Sequence, residues 1–284
     1  MAQAIGFVRP DSSIAGPAGG VGRPRGDETG AEQQMVQASD LLQWEPYCGA
    51  APLPAEWLAR WNLDPLVLLG LVLTTLVWRF SGGRPRNGRS AAFAAGIGLF
   101  VLLFVSPFCA LTSALFAARA AHHVLLVAAA APLLAWSVPG LKRPHRWPIG
   151  VWAALHATVL WAWHVPQLYS AALANDAVYW LMQASLFGTA FQFWTSIRHA
   201  SMPAAVAALL ATMVQMGLLG ALITFASAPL YAPHLLTTAA WGLSPLEDQQ
   251  LAGLIMWAPA AAFYLAAALL IAWRWLHAEA RPVA

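Results

Sequence analysis

Eight histidines and two cysteines carry most of the metal-binding chemistry available to this 284-residue chain. His122, His123, His156, His164 and His234 lie in or beside apolar stretches, whereas His145, His199 and His277 lie among basic residues. Imidazole suits copper, zinc and iron; thiolate and thioether favour copper(I). Cys109, with Met182, Met213 and Met216 further along, extends that soft set. Helix geometry limits the combinations. Neighbouring residues project about 100° apart, so only one of His122 and His123 points squarely inward, and His123 is the favoured one. His156 and His164 are separated by a rise of about 12 Å and do not share an ion. Each residue also has a plainer role. A span histidine commonly hydrogen-bonds a neighbouring helix, and methionine commonly packs. Ser244-Pro245-Leu246-Glu247 reads as a capping box, with Glu247 and Asp248 as helix caps. Cys48 and Cys109 both fall on the side expected to be oxidising, where they can pair as a disulfide.

The elements that position these residues are apolar. The chain is 60% hydrophobic and 10% charged, with net charge +3 and mean hydropathy +0.60. A soluble domain carries roughly 25% charged residues. Crossing the hydrocarbon core takes roughly 20 mostly apolar residues. Candidate stretches lie at about 65–80, 91–108, 120–139, 148–164, 178–197, 203–226 and 251–276, which predicts an all-α bundle of seven transmembrane helices. The breaks alternate in charge: Arg79, Arg84, Arg86 and Arg89; then Arg119 alone; then Lys142, Arg143 and Arg146; then none from His164 to Ala177; then Arg198; then none from Ser227 to Gln250; finally Arg274 and Arg281. Lys and Arg stay on the cytoplasmic side, so the N-terminus is expected outside and the C-terminus in the cytoplasm. In that frame His122, His123, His164, His234, Tyr179, Gln183, Asp248 and Gln249 lie toward the outer face. Ionisable groups at membrane depth are costly and face the bundle interior.

Residues 1–40 lack an apolar run and are expected to be a disordered tail. Their Arg9, Arg23 and Arg25 make export awkward, and Met35 is a candidate start. Residues 41–64 read as a segment lying on the outer surface, 65–276 as the membrane domain and 277–284 as a cytoplasmic tail. Many of the 15 Trp sit near span ends, as an interfacial belt would. Pro107, Pro132, Pro166, Pro229 and Pro259 are expected to kink or end helices. No nucleophile elbow, P-loop, dinucleotide fingerprint or CxxC is present. A retinal protein is excluded as well, because the sole lysine, Lys142, falls in a loop. The basic residues cluster where they meet lipid headgroups, so nucleic acid is not an expected partner.

Several runs carry a resemblance. They are Trp161-Ala162-Trp163-His164-Val165-Pro166 with Leu168-Tyr169, Gly220 to Phe225 leading to Pro229-Leu230-Tyr231, and Asp248-Gln249-Gln250-Leu251-Ala252-Gly253-Leu254-Ile255-Met256-Trp257. A His-Val-Leu-Leu run from His123 is followed by Pro132-Leu133-Leu134. Over roughly residues 65–276 the chain resembles the CtaG family of seven-span cytochrome c oxidase assembly factors. The resemblance implies a bacterial inner-membrane protein that is not an enzyme and helps mature haem-copper oxidases. Its expected partners are the lipid bilayer, oxidase subunits and a periplasmic copper chaperone. It implies copper(I) bound at the outer mouth by His123 and His164, with His122 or Cys109 as further ligands. Asp248 and Gln249 would orient the imidazoles. The common members show H-x-x-x-H in the third and fifth spans; here these read Arg119 with His123, and Tyr179 with Gln183. Two rival readings are a membrane haem protein or enzyme using the histidines, and a metal-free scaffold for oxidase subunits.

Overall fold

The computed structural model describes residues 46–81, 88–138 and 147–279, with side chains as far as residue 277. The tail 1–40, Met35, the basic residues Arg84, Arg86, Lys142, Arg143, His145 and Arg146, and Arg281 lie outside the described residues. The described chain is helical and contains no strand. In order the helices are α1 (Pro65–Phe80), α2 (Arg89–Val105), α3 (Pro107–Ala114), α4 (Phe116–Ser137), α5 (Ile149–Trp163), α6 (Pro166–Ala174), α7 (Asp176–Ile197), α8 (Met202–Thr224) and α9 (Pro245–Glu279).

A helix stands at each of the seven expected stretches, yet they are not equivalent. Among the described residues, only α4, α8 and α9 are each long and apolar enough to cross a membrane. The α2–α3 pair adds a fourth if its 51° bend is counted within one span. Helices α1 and α5 are apolar but have 16 and 15 residues, short of the roughly 20 a crossing needs. Helix α7 has 22 residues, but Gln183, Thr195 and Ser196 stand among its buried side chains, which lowers its hydropathy while facing protein. Helix α1 buries none of its residues.

Local chemistry sets where these helices begin. Asp64 accepts from Leu66 N at 2.7 Å and caps α1. Ser106 accepts from Phe108 N at 3.2 Å, and with Pro107 at the first helical position it opens α3. Asn175 caps α7 through Val178 N at 3.1 Å. The expected capping box closes on α9: the Ser244 N–H and Oγ–H donate to Glu247 Oε2, each at 2.8 Å, and Glu247 N–H donates to Ser244 Oγ at 3.3 Å. The prolines were expected to kink or end helices; Pro107 stands at the 51° bend and opens α3, Pro166 opens α6, and α9 continues through Pro259. Two stretches are π-helical, Val101–Val105 in α2 and Leu125–Ala130 in α4; the second begins two residues after His123.

The tightest seam joins α8 and α9. A Cβ on Gly220 would stand 2.7 Å from the Gly253 carbonyl oxygen and 2.9 Å from Trp257 N. One on Gly253 would collide with Thr224 Oγ1 and the Gly220 carbonyl oxygen. Small residues permit this backbone approach in a bundle. The segment before α1 does not simply rest on the surface. Asn62 N–H donates to the Val105 carbonyl at 2.9 Å, Asn62 Nδ2 to the Phe104 carbonyl at 3.1 Å, and Trp241 Nε1 to the Pro52 carbonyl at 3.2 Å. The Tyr47 ring stacks on Tyr179 at 4.9 Å. Trp161 and Trp163 tie helices together by donating to Gln215 Oε1 and Ser185 Oγ.

Candidate functional site

The first two turns of α4 set Arg119 and His123 on one face, since residues four apart are neighbours on a helix. Tyr179 and Gln183 repeat that spacing on α7. His164 stands where α5 ends, Tyr169 lies on α6, and His234 ends a short 3-10 turn, Ala232–His234. These side chains meet in one buried cluster: Arg119, His122, Tyr169 and Tyr179 are at most 1% exposed, His123 1%, Gln183 and His234 2%, and His164 4%. Arg119 was expected in a polar break between spans. It lies inside α4 instead, because its neighbours on α6 and α7 enclose it.

The cluster has an ordered geometry. The His123 and His164 rings stand 5.5 Å apart at 84°, and His122 and His123 stand 5.8 Å apart at 78°. His122 meets the Phe104 ring edge-on at 5.0 Å and lies parallel to Phe108 at 6.3 Å. Both histidines are therefore inside, the first turned to α2 and α3, the second to α5. The expectation that only one would point inward is corrected: packed elements flank α4 on both sides. The Arg119 guanidinium carbon lies 5.4 Å from the Tyr179 ring centroid, with the Tyr169 and Tyr179 phenols beside it. Tyr169 OH and His234 Nε2 are 2.7 Å apart, and Tyr231 OH donates to the His164 carbonyl at 2.9 Å.

Much of this polar surface makes no well-formed hydrogen bond within the protein. That holds for Nε, Nη1 and Nη2 of Arg119, both ring nitrogens of His122 and of His123, Nε2 of His164, and both amide atoms of Gln183. His164 Nδ1 is committed to the Leu160 carbonyl at 2.7 Å. Among the described residues the one ion pair is Arg60 with Glu56, so no carboxylate pairs with Arg119. Outside the spans, burial pushes His234 down to about 3, with Arg119 contributing further, so its ring is neutral. Burial likewise pushes the Tyr231 phenol up.

Of the residues singled out in the sequence, His122, His123, His164, Tyr179 and Gln183 converge. Cys109, Asp248 and Gln249 do not join them. Cys109 is bonded to Cys48 as a disulfide; a metal needs the thiolate, so Cys109 offers none in this state. Asp248 turns to α4. Its Oδ2 accepts from Phe116 N at 2.7 Å and its Oδ1 from Ala117 N at 3.1 Å, so it caps a helix whose own N-cap, Leu115, has no side-chain acceptor. Gln249 holds the loop after α8: its Oε1 accepts from Leu230 N at 2.7 Å, and its Nε2 donates to the Ile223 and Ala228 carbonyls, both at 3.3 Å. His156 is apart from the cluster, 3.2 Å from Thr189 Oγ1. Met182 and Met216 pack in the apolar core. Tyr169, Tyr231 and His234 join the cluster without having been singled out as site residues. Arg119 alone carried a local signal, its i, i+4 spacing to His123.

Among the described residues no group of three or more His, Cys, Asp or Glu side chains is arranged to hold a metal ion. What the cluster offers is a pair. Two imidazoles sharing an ion at about 2 Å each stand with centroids roughly 6 Å apart, near the His123–His164 separation. Beside that pair the cluster presents a guanidinium, an amide and two phenols, which is mainly a donor surface. The sequence model of the cytochrome c oxidase caa3 assembly factors (Caa3_CtaG) matches residues 67–278. No curated protein and no solved structure matches the chain significantly.

Proposed function

Because the chain belongs to the cytochrome c oxidase caa3 assembly factor family, we propose that it serves oxidase maturation by holding copper(I) transiently as cargo between His123 and His164. The observation that carries this reading is the perpendicular ring pair at 5.5 Å with His123 Nδ1, His123 Nε2 and His164 Nε2 free of protein partners. Copper(I) accepts two-coordinate binding by neutral nitrogen donors, so a pair suffices. A seat of only two imidazoles with a cation nearby is weak, which suits an ion that must pass to a client. His122 lies one ring further along and can take the ion over.

In this reading the chain crosses the bacterial inner membrane seven times, with the cluster toward the outer face and the C-terminus in the cytoplasm. The charge alternation along the sequence supports that orientation. A periplasmic copper chaperone supplies the ion and an oxidase subunit receives it. The chain performs no catalysis of its own.

Copper(I) competition titrations on the purified full chain test the seat. His123→Ala and His164→Ala are expected to weaken binding at least tenfold each, and His277→Ala to leave it unchanged. The same titration on sealed right-side-out vesicles, with a membrane-impermeant copper(I) chelate outside, is expected to load the parent. Equal binding by all variants removes the copper seat and leaves a scaffold for oxidase subunits. Loading only from the cytoplasmic side reverses the orientation.

A further inference from the structure

The guanidinium at the centre of the cluster raises a separate problem. Arg119 is fully buried, and none of its three nitrogens makes a well-formed hydrogen bond; the neutral Tyr169 and Tyr179 phenols stand at the edge of its reach. Burying an ion costs several kcal/mol after relaxation. The Tyr179 ring at 5.4 Å offers a cation–π contact worth about 2 kcal/mol when desolvated, which does not offset that cost. Arg119 also sits in the first turns of α4, where the helix dipole adds positive potential. Asp248 answers that dipole at Phe116 and Ala117, but both of its oxygens are committed there. Arginine cannot shed its proton to escape the cost. Asp248 offsets part of the charge from a distance, but among the described residues no carboxylate pairs with the guanidinium, and its N–H fork is left without an anionic acceptor.

We propose that Arg119 anchors a binding site for a small inorganic monoanion of chloride or bromide size, completed by Gln183, Tyr179 and the neighbouring imidazoles. The donor chemistry selects the sign. The guanidinium offers its full fork of N–H groups. The Gln183 amide makes no well-formed hydrogen bond and lies one helical turn from Tyr179, beside its phenol. His122 and His123 are close enough to Arg119 to feel its charge, and each neutral ring brings one N–H. The enclosure selects the size. Every side chain around the guanidinium is at most 4% exposed, which bars a peptide carboxylate or a lipid headgroup and leaves small ions as the candidates. This inference rests on the cluster geometry and not on the copper reading.

The test uses the full chain, copper-free, in detergent, exchanged into gluconate as a bulky reference anion. Chloride and bromide are titrated while the thermal midpoint is followed, with sulfate at matched ionic strength as the control. In the parent, the midpoint is expected to rise saturably by several degrees with the halides and not with sulfate. Arg119→Met, close in volume and uncharged, is expected to abolish the saturable rise. Gln183→Leu is expected to weaken apparent halide affinity at least fivefold. Should Arg119→Met fail to accumulate, chloride-35 line broadening on the parent decides, with bromide as competitor and Gln183→Leu as the comparison. An equal rise in parent and variant, a non-saturable rise in the parent, or chloride broadening that bromide does not relieve would overturn the proposal. Because no copper is present, failure of the copper titration leaves this result untouched.

Discussion

The α8–α9 seam and the cluster between α4 and α7 solve opposite problems. The seam brings two backbones together by removing side chains, with Gly220 and Gly253 face to face. The cluster keeps large polar side chains buried and leaves their hydrogen-bonding atoms uncommitted. The Asp248–Trp257 run, the most specific part of the family resemblance, belongs to the seam. Asp248 caps α4, Gln249 holds a loop, and Gly253 sets the helix approach. The positions where this chain departs from the common H-x-x-x-H pattern, Arg119, Tyr179 and Gln183, belong to the cluster. The lesson is that a motif can be specific because it is architectural, while chemistry varies inside the frame it maintains.

If that division holds, damage to the seam removes the protein and damage to the cluster removes a property. The largest effect is expected for Gly253→Ala. Its new methyl meets the Gly220 carbonyl and Thr224 Oγ1, and overpacking against backbone costs about 1–3 kcal/mol or more. Membrane-fraction yield and thermal midpoint in detergent should both fall sharply. Normal yield would mean the seam is looser than its geometry implies.

Asp248→Asn tests the boundary between the two regions. Asn keeps one acceptor oxygen but presents an NH2 to the second helix N–H. A hydrogen bond to a charged group contributes about 1.5–3 kcal/mol, so stability should drop by a comparable amount. Copper(I) affinity, measured on the folded fraction, should change less than threefold, because Asp248 bonds to backbone and not to an imidazole. A tenfold loss of affinity would return Asp248 to the site.

The third test distinguishes the regions by pH, and its effect is absent at neutral pH and appears only on acidification. His234 has a folded value near 3 because of burial, against about 6.5 when unfolded. The unfolded chain thus binds the extra proton first. The contribution of the neutral ring is complete above pH 6.5 and is lost as pH falls toward 3, by up to about 1.4 kcal/mol per unit. His234→Gln keeps an acceptor for Tyr169 and should flatten the fall of the unfolding midpoint between pH 6.5 and 4. An unchanged slope would place the acid sensitivity elsewhere.

Helix positions, the α9 capping box and the inward facing of the polar span side chains were legible in the sequence. They depend on local apolar runs, on i to i+3 spacing and on the cost of burying charge, all of which are written along the chain. The His123–His164 pairing was legible only through the family resemblance. Arg119 was read as a loop charge because the charge-alternation rule treats each cation as solvated. Its enclosure by residues fifty and sixty positions away has no local signal. Asp248 looked like a cap for its own helix, and the capping box already served that end. Only the tertiary structure set its carboxylate against the uncapped start of α4, 132 residues earlier. Cys109 was open between ligand and disulfide until its partner's position was known. Composition and periodicity determined which segments must leave water. Which buried polar group faces which was decided by packing, because hydrogen bonds and charge pairs form across the bundle between residues that the sequence keeps far apart.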